Sequence, residues 1–293
     1  MGPGYRWVVL SNTTLAMLMA TLNMSSVMIA LPAIFRGIHL DPLGPGNFNY
    51  LLWMLMGYMV VTAVLVVNLG RLGDMFGARP FATGGMLLAA GTFAAMMLLP
   101  VDFSYPPFAL VIFANGVAFG LFAAPNTTSI MNSVPARDCG VASGMRGTFQ
   151  NAGMPISIAI FFSLMIIGLA SRVPHTMLAG LTANGVPTVT ATRLAHLPPV
   201  GYLFAAFLGS NPLHSLLGSK VLAALTPAQQ VRLTGRSFFP SLISDPFKHG
   251  LTIILTFSIA MCLLAAWASW LRGAKYIHHE PEPVGGSAGR HGQ

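Results

Sequence analysis

Apolar and charged positions fall in long blocks along this chain. Arg6 and Arg36 bracket 29 residues without a charge. That run, Trp7 to Phe35, predicts a first spanning helix, longer than the ~20 residues a bilayer needs and so tilted or partly interfacial. Its length and scattered polar residues do not fit a cleavable signal peptide. Asn12, Thr13, Thr14, Thr21, Asn23, Ser25 and Ser26 interrupt it. In lipid such groups cost free energy unless they face other helices or water, so one face lines a cavity or a helix contact.

Further apolar runs predict spans at Leu51–Leu69, Phe81–Pro100, Phe108–Ile130 and Gly147–Ala170, and a sixth between Lys248 and Arg272. Gly116 and Gly120 give the fourth span a small-residue face for close packing. Pro125 and Asn126 predict a kink near its end, and Arg172 the end of the fifth span. Residues 132–146 read as a polar connection. Polar, proline and histidine residues return between 172 and 247, which predicts a small folded loop outside the bilayer; a broken seventh span is the alternative. Within it Val200–Gly209 is too short to cross and is interfacial or core-forming, while Leu213–Leu225 and Pro227–Thr234 predict short helices. Thr226 before Pro227 fits a cap followed by proline at the first helical position. The expected organisation is a membrane bundle over 1–171, an extracytoplasmic loop over 172–247, a last span over 248–272 and a disordered tail over 273–293.

Composition sharpens this. Only 8% of residues are charged against 54% hydrophobic, and mean hydropathy is +0.69. A soluble domain carries about 25% charge, so the solvent for most of this chain is lipid. The expected fold class is an all-α membrane protein with six transmembrane helices. The net charge of +8 comes from scattered residues without a Lys/Arg cluster, which points to topology and lipid contact, not nucleic acid. Basic residues of the short connections place both termini in the cytoplasm.

All seven acidic residues lie outside the predicted helix cores, which argues against a self-contained proton pump. There is no phosphate-binding loop, zinc motif or nucleophile–base pair, so no enzyme activity, cofactor or metal is expected. Two cysteines give no disulfide framework. The densest charge is the glycine-rich turn Gly70–Pro80, holding Arg71, Asp74 and Arg79. Asp74 precedes a helix start, where a carboxylate is favoured. The turn is either a conformational latch or a plain topology-fixing turn. Asn23 either lines a substrate path or makes an interhelical hydrogen bond; Arg146, Gln150 and Asn151 form either a cytoplasmic vestibule for cargo or an interfacial anchor with helix-packing amides, and Ser26 and Asn126 join them as candidate path residues.

Gly70, Leu72, Asp74, Gly77 and Arg79 resemble the signature loop of the major facilitator superfamily. Leu22-Asn23-Met24-Ser25-Ser26-Val27-Met28-Ile29-Ala30-Leu31-Pro32 resembles the first-helix motif of its fourteen-span drug:proton antiporters, of the EmrB/QacA type, with Asn23 where that motif has an acid. Pro125-Asn126 and Arg146 to Gly153 resemble late helices of the same family. The resemblance implies one major-facilitator-like bundle in the cell (inner or plasma) membrane and multidrug efflux of small, drug-like substrates by proton-linked secondary transport. It assigns the latch to Gly70, Arg71, Asp74, Gly77 and Arg79. One signature loop followed by second-half-like sequence implies an internally shortened transporter. Such a chain pairs with itself or with another transporter half, or is a non-transporting partner of a full-length relative.

Overall fold

The structure, a computed structural model, describes residues 77–99, 105–132, 134–207, 211–235 and 238–271, with scattered helical positions between 49 and 64. The first predicted span lies outside the described residues, as do most of the second and the tail beyond 271. Among the described residues the helices are α1 (Ala78–Leu98), α2 (Tyr105–Asn132), α3 (Cys139–Ala183), α4 (Thr188–Ala195), α5 (Pro199–Phe207), α6 (Leu213–Ala223), α7 (Pro227–Thr234) and α8 (Phe238–Leu271). Four of them, α1, α2, α3 and α8, are long and apolar enough to cross a bilayer. The protein is an all-α membrane protein.

Gly77 starts α1 at φ 91°, a conformation that side-chain-bearing residues rarely adopt. Pro80 falls in the first turn, where its missing N–H removes no helical hydrogen bond. α1 packs against both α2 and α8. One shared cluster joins Ala82 and Met86 of α1, Phe122 of α2, and Ala265 and Ala266 of α8. A second joins Ala89, Ala90 and Phe93 to Ala118, Leu255 and Cys262. Between α1 and α2, the Asn115 amide donates to Thr92 Oγ1 at 2.8 Å, and that hydroxyl donates to the Ala89 carbonyl at 2.7 Å. Such a pair satisfies two buried polar groups that lipid could not.

The helix ends differ most from the sequence expectation at α3 and α8. The polar connection after α2 is shorter than 132–146. A single 3-10 turn at Ala136–Asp138 leads into α3 at Cys139, so Arg146 is already helical. Arg172 does not end α3, which runs through Pro174 to Ala183. Likewise α8 begins at Phe238, ten residues before Lys248. At 1.5 Å per residue, α3 is roughly 68 Å long, about twice the ~30 Å hydrocarbon core. Pro125 likewise lies inside α2, which continues to Asn132.

Packing explains why Pro174 is tolerated. Beyond Arg172, the side chains of Val173, Met177 and Leu181 are buried. Burying three such groups contributes about 1.5–3 kcal/mol each, against ~3 kcal/mol for an interior proline. The extensions carry a cap made of α4 to α7. One hydrophobic core runs without a break from Phe161, Met165 and Leu169 through Val173, Met177 and Leu181 to Tyr202, Leu213, Leu233, Phe239 and Ile243. Where α3 and α8 cross, a Cβ on Gly168 would run into the backbone of Gly250. Two glycines therefore let the helix backbones touch. Just beyond the crossing, Arg172 and Asp245 approach to 3.8 Å.

Of the cap helices, α6 and α7 follow the expected positions closely, α5 falls within the apolar stretch 200–209 bar its first residue, and α4 was not expected. Thr226 and Gln229 form a reciprocal capping box with Pro227 at the first turn of α7. The Gln230 amide donates to the carbonyls of Leu222 (2.7 Å) and Leu225 (3.0 Å), tying α7 to the end of α6. The Asn211 amide closes the cap by donating to the Leu233 and Gly235 carbonyls, each at 2.8 Å.

Candidate functional site

Of the stretch Gly70–Pro80, the described part from Gly77 to Pro80 lies at the end of the bundle where α1 begins and α8 finishes. Gly77 is the last residue before α1 and supplies no side-chain cap. Arg79, in the first turn, places its guanidinium 4.3 Å from the ring centre of Trp270 on α8. Stacking a cation on an indole face is attractive by about 0.5–2 kcal/mol, more as water is excluded. The Arg79 Nε is enclosed without a hydrogen-bond partner.

Thr83 lies one turn further along α1, and its Oγ1 is likewise enclosed and unpartnered, as is the Ser269 Oγ next to Trp270. Thr83 lies beside Ala82, and Ser269 one turn beyond Ala265, in the seam that those two alanines help to form. Three unsatisfied polar groups thus gather at one end of the α1–α8 seam. Leaving such groups unsatisfied costs about 1–3 kcal/mol each, and the Arg79–Trp270 stacking at the same end acts in the opposite direction.

Gly70, Arg71 and Asp74 of the expected latch lie outside the described residues, as do Asn23 and Ser26 of the expected path. Of the remaining path residues, Asn126 is fully buried within α2. Arg146 and Gln150 are half-buried and Asn151 is exposed. Spaced by four residues, Arg146 and Gln150 share one face of α3, close to its start. The Arg146 Nε is enclosed without a partner. α2 and α3 touch little, so Asn126 is not brought into one group with Arg146 and Gln150 by direct packing of their helices.

Sequence reasoning did not single out Thr92, Asn115 or Thr83, nor Trp270 as the platform for Arg79. Asn115 carried a usable signal: it is a lone amide in an apolar run, beside Gly116. Among the described residues no group of histidine, cysteine and acidic side chains is placed to hold a metal ion.

These features define a multi-pass, all-α membrane protein whose long helices carry a folded cap. No family model matches the chain. Over 187 residues it is 29% identical to the tetracenomycin C resistance and export protein of Streptomyces glaucescens, covering 58% of this chain and 32% of that protein. Over 100 residues it is 35% identical to the lincomycin resistance protein of Streptomyces lincolnensis, covering 32% of this chain and 20% of the relative. Over 115 residues it is 26% identical to the riboflavin transporter RibZ of Clostridioides difficile (strain 630), covering 38% of this chain and 25% of the relative. The chain thus spans about a third or less of the length of the curated relatives it matches.

Proposed function

We propose that this chain is a transporter of the major facilitator type, acting in the plasma membrane to export small drug-like molecules by proton-linked secondary transport. The observation that carries this reading is the similarity to the tetracenomycin C resistance and export protein over 58% of the chain, the largest share among the three relatives. The apolar spans, with no carboxylate, Lys or Arg between 80 and 98 or between 106 and 132, support the membrane location in this reading, while the proton-coupling group has to lie outside those two segments.

In this reading Gly70, Arg71, Asp74, Gly77 and Arg79 form the conformational latch. Arg79 grips the end of α8 through Trp270, and Gly77 provides the backbone turn that brings it there. Release of that grip lets the α1–α8 seam part at the end where its polar groups are unsatisfied. Asn23, Ser26, Asn126, Arg146, Gln150 and Asn151 line the substrate path. Alternating access moves one bundle against another around a site near the midplane. In this reading the bundle moves against a second one, supplied by a second copy or by another transporter half.

Expression in an efflux-deficient cell tests the reading. The chain is expected to lower accumulation of a fluorescent drug-like dye, and Asp74→Asn to abolish the effect at equal membrane abundance. Unchanged accumulation with well-inserted wild-type protein would refute it.

A further inference from the structure

Where α1 begins and α8 finishes, three hydrogen-bond donors are enclosed without a partner. Thr83 is 8% exposed and Ser269 2% exposed, and the Oγ of each is unpartnered, as is the Arg79 Nε. A hydroxyl on a helix ordinarily donates to a carbonyl one turn back, as Thr92 does to Ala89. Thr83 and Ser269 do not. Buried polar groups in native folds are nearly always paired, and an orphan commonly marks the place of a water or an ion.

The three donors share one place in the seam. Thr83 follows Arg79 by four residues and lies on the same face of α1. Helical side chains lean towards their own N-terminus, which turns Thr83 towards the start of α1. Ser269 precedes Trp270, whose ring centre lies 4.3 Å from the Arg79 guanidinium. Further in, Met86 of α1 and Ala266 of α8 belong to one packed cluster. Thr83 lies between Arg79 and Met86, and Ser269 between Ala266 and Trp270. Both hydroxyls are thus bracketed by the same two contacts between the same two helices.

Charge decides between a water and an ion. The indole of Trp270 offers the Arg79 cation no oxygen acceptor. The two carboxylates among the described residues are held by other arginines, Asp138 by Arg137 and Asp245 by Arg172, each at 3.8 Å. Gly77 caps α1 without a side chain, and the first turn holds no acid. The open N–H groups of that turn add the positive end of the helix dipole. A Cβ at Gly77 would meet nothing within 4 Å, so the approach to the helix start is open. Every feature of this place favours an anion.

We propose that this end of the α1–α8 seam binds an oxyanion of the phosphate type, through the Arg79 Nε–H, the Thr83 and Ser269 hydroxyls and the open N–H groups at the start of α1. Its donors come from two helices, which suits a tetrahedral oxyanion better than a planar carboxylate. The bound group joins α1 to α8 beside the Arg79–Trp270 contact. The site does not require that the chain transports anything. The phosphate is either free in solution or part of a lipid headgroup, and two probes separate these sources.

The whole chain is held in neutral detergent at constant ionic strength, and labelling of the buried Cys262 thiol on denaturation is followed in a Cys139→Ser background. In one series inorganic phosphate replaces chloride. In the other phosphatidylglycerol is added to the micelles, with diacylglycerol, which has no phosphate, as the control. A saturable rise in the unfolding midpoint is expected with at least one probe, roughly 100-fold in the unfolding equilibrium at about 100 times the dissociation constant. A rise with inorganic phosphate assigns the free ion, and a rise with the lipid alone assigns a headgroup. Thr83→Val combined with Ser269→Ala keeps the side-chain shapes and removes both hydroxyls, and should abolish the rise. Arg79→Gln should abolish it as well, so the result stays readable where one variant folds poorly. No rise with either probe would overturn the proposal, as would a rise of equal size without the two hydroxyls. A rise seen only in Asp74→Asn would overturn it too, since the carboxylate of the chain itself would then be the occupant.

Discussion

Substituting alanine for Gly168 tests the packing of the long helices directly, because a second glycine supplies an internal control. Gly168 sits where α3 meets α8, and a Cβ there would overlap the backbone of Gly250, with the Gly250 nitrogen 3.0 Å away. Backbone cannot rotate aside as a side chain can, so the two helices must move apart. Forcing extra volume into a packed site costs about 1–3 kcal/mol. Alanine also gains about 0.8–1 kcal/mol of helix propensity over glycine, which would partly mask that cost. Gly84 in α1 removes the ambiguity, since a Cβ there meets nothing within 4 Å. The propensity gain is common to both substitutions and cancels in their difference. Gly168→Ala should therefore be less stable than Gly84→Ala by about 1–3 kcal/mol, or roughly 5- to 150-fold in the unfolding equilibrium. The buried Cys262 thiol provides the readout in a Cys139→Ser background. A thiol-reactive dye added during denaturation in mixed micelles reports when the α1–α8 core opens. Equal midpoints for the two variants would refute the glycine crossing.

Two further outcomes follow from single contacts. In a double-mutant cycle, Arg79→Gln and Trp270→Leu should show a coupling of about 0.5–2 kcal/mol in the same assay, and additive effects would mean that the stacking contributes nothing. Burial pushes the Tyr202 phenol up from its usual 10.0 to about 12. Its neutral form is the one the fold favours, so the contribution is fully present below pH 10 and is lost as pH rises towards 12. Stability should fall over that window in the wild type and fall less in Tyr202→Phe, as read from helical circular dichroism on denaturation at stepped pH; identical pH dependence in the two proteins would contradict it.

The spanning elements α1 and α2 were legible because lipid demands uninterrupted apolar runs, and both lie within three residues of their predicted ends. The capping box at Thr226 was legible because caps are local chemistry. The continuity of α3 and α8 was misjudged because Arg172, Pro174 and Lys248 are ordinary signals for a helix leaving a membrane. The opposing signal was present: Phe161, Met165, Leu169, Val173, Met177 and Leu181 recur every fourth residue straight through Arg172. That stripe marks one continuous buried face, which local stop signals cannot override.

The candidate site was less legible. The turn before α1 stood out by its charges, and Gly77 and Arg79 occupy its described part. The partner of Arg79 could not be read from the sequence, because Trp270 is brought close only by the packing of α8 on α1. The same holds for Asn115 and Thr92, whose hydrogen bond depends on the register of α1 against α2. Arg146 and Gln150 share a face of α3, as their spacing requires, whereas Asn126 belongs to a helix that packs mainly on α1.

Transport by the purified chain tests the central claim most directly. The protein is reconstituted alone into vesicles, a proton gradient is imposed, and movement of a fluorescent drug-like dye is followed with and without an ionophore that collapses the gradient. The account predicts gradient-dependent dye movement that disappears with the ionophore and in the Asp74→Asn protein. Dye movement no faster than in protein-free vesicles, from protein shown to be inserted and self-associated, would contradict it.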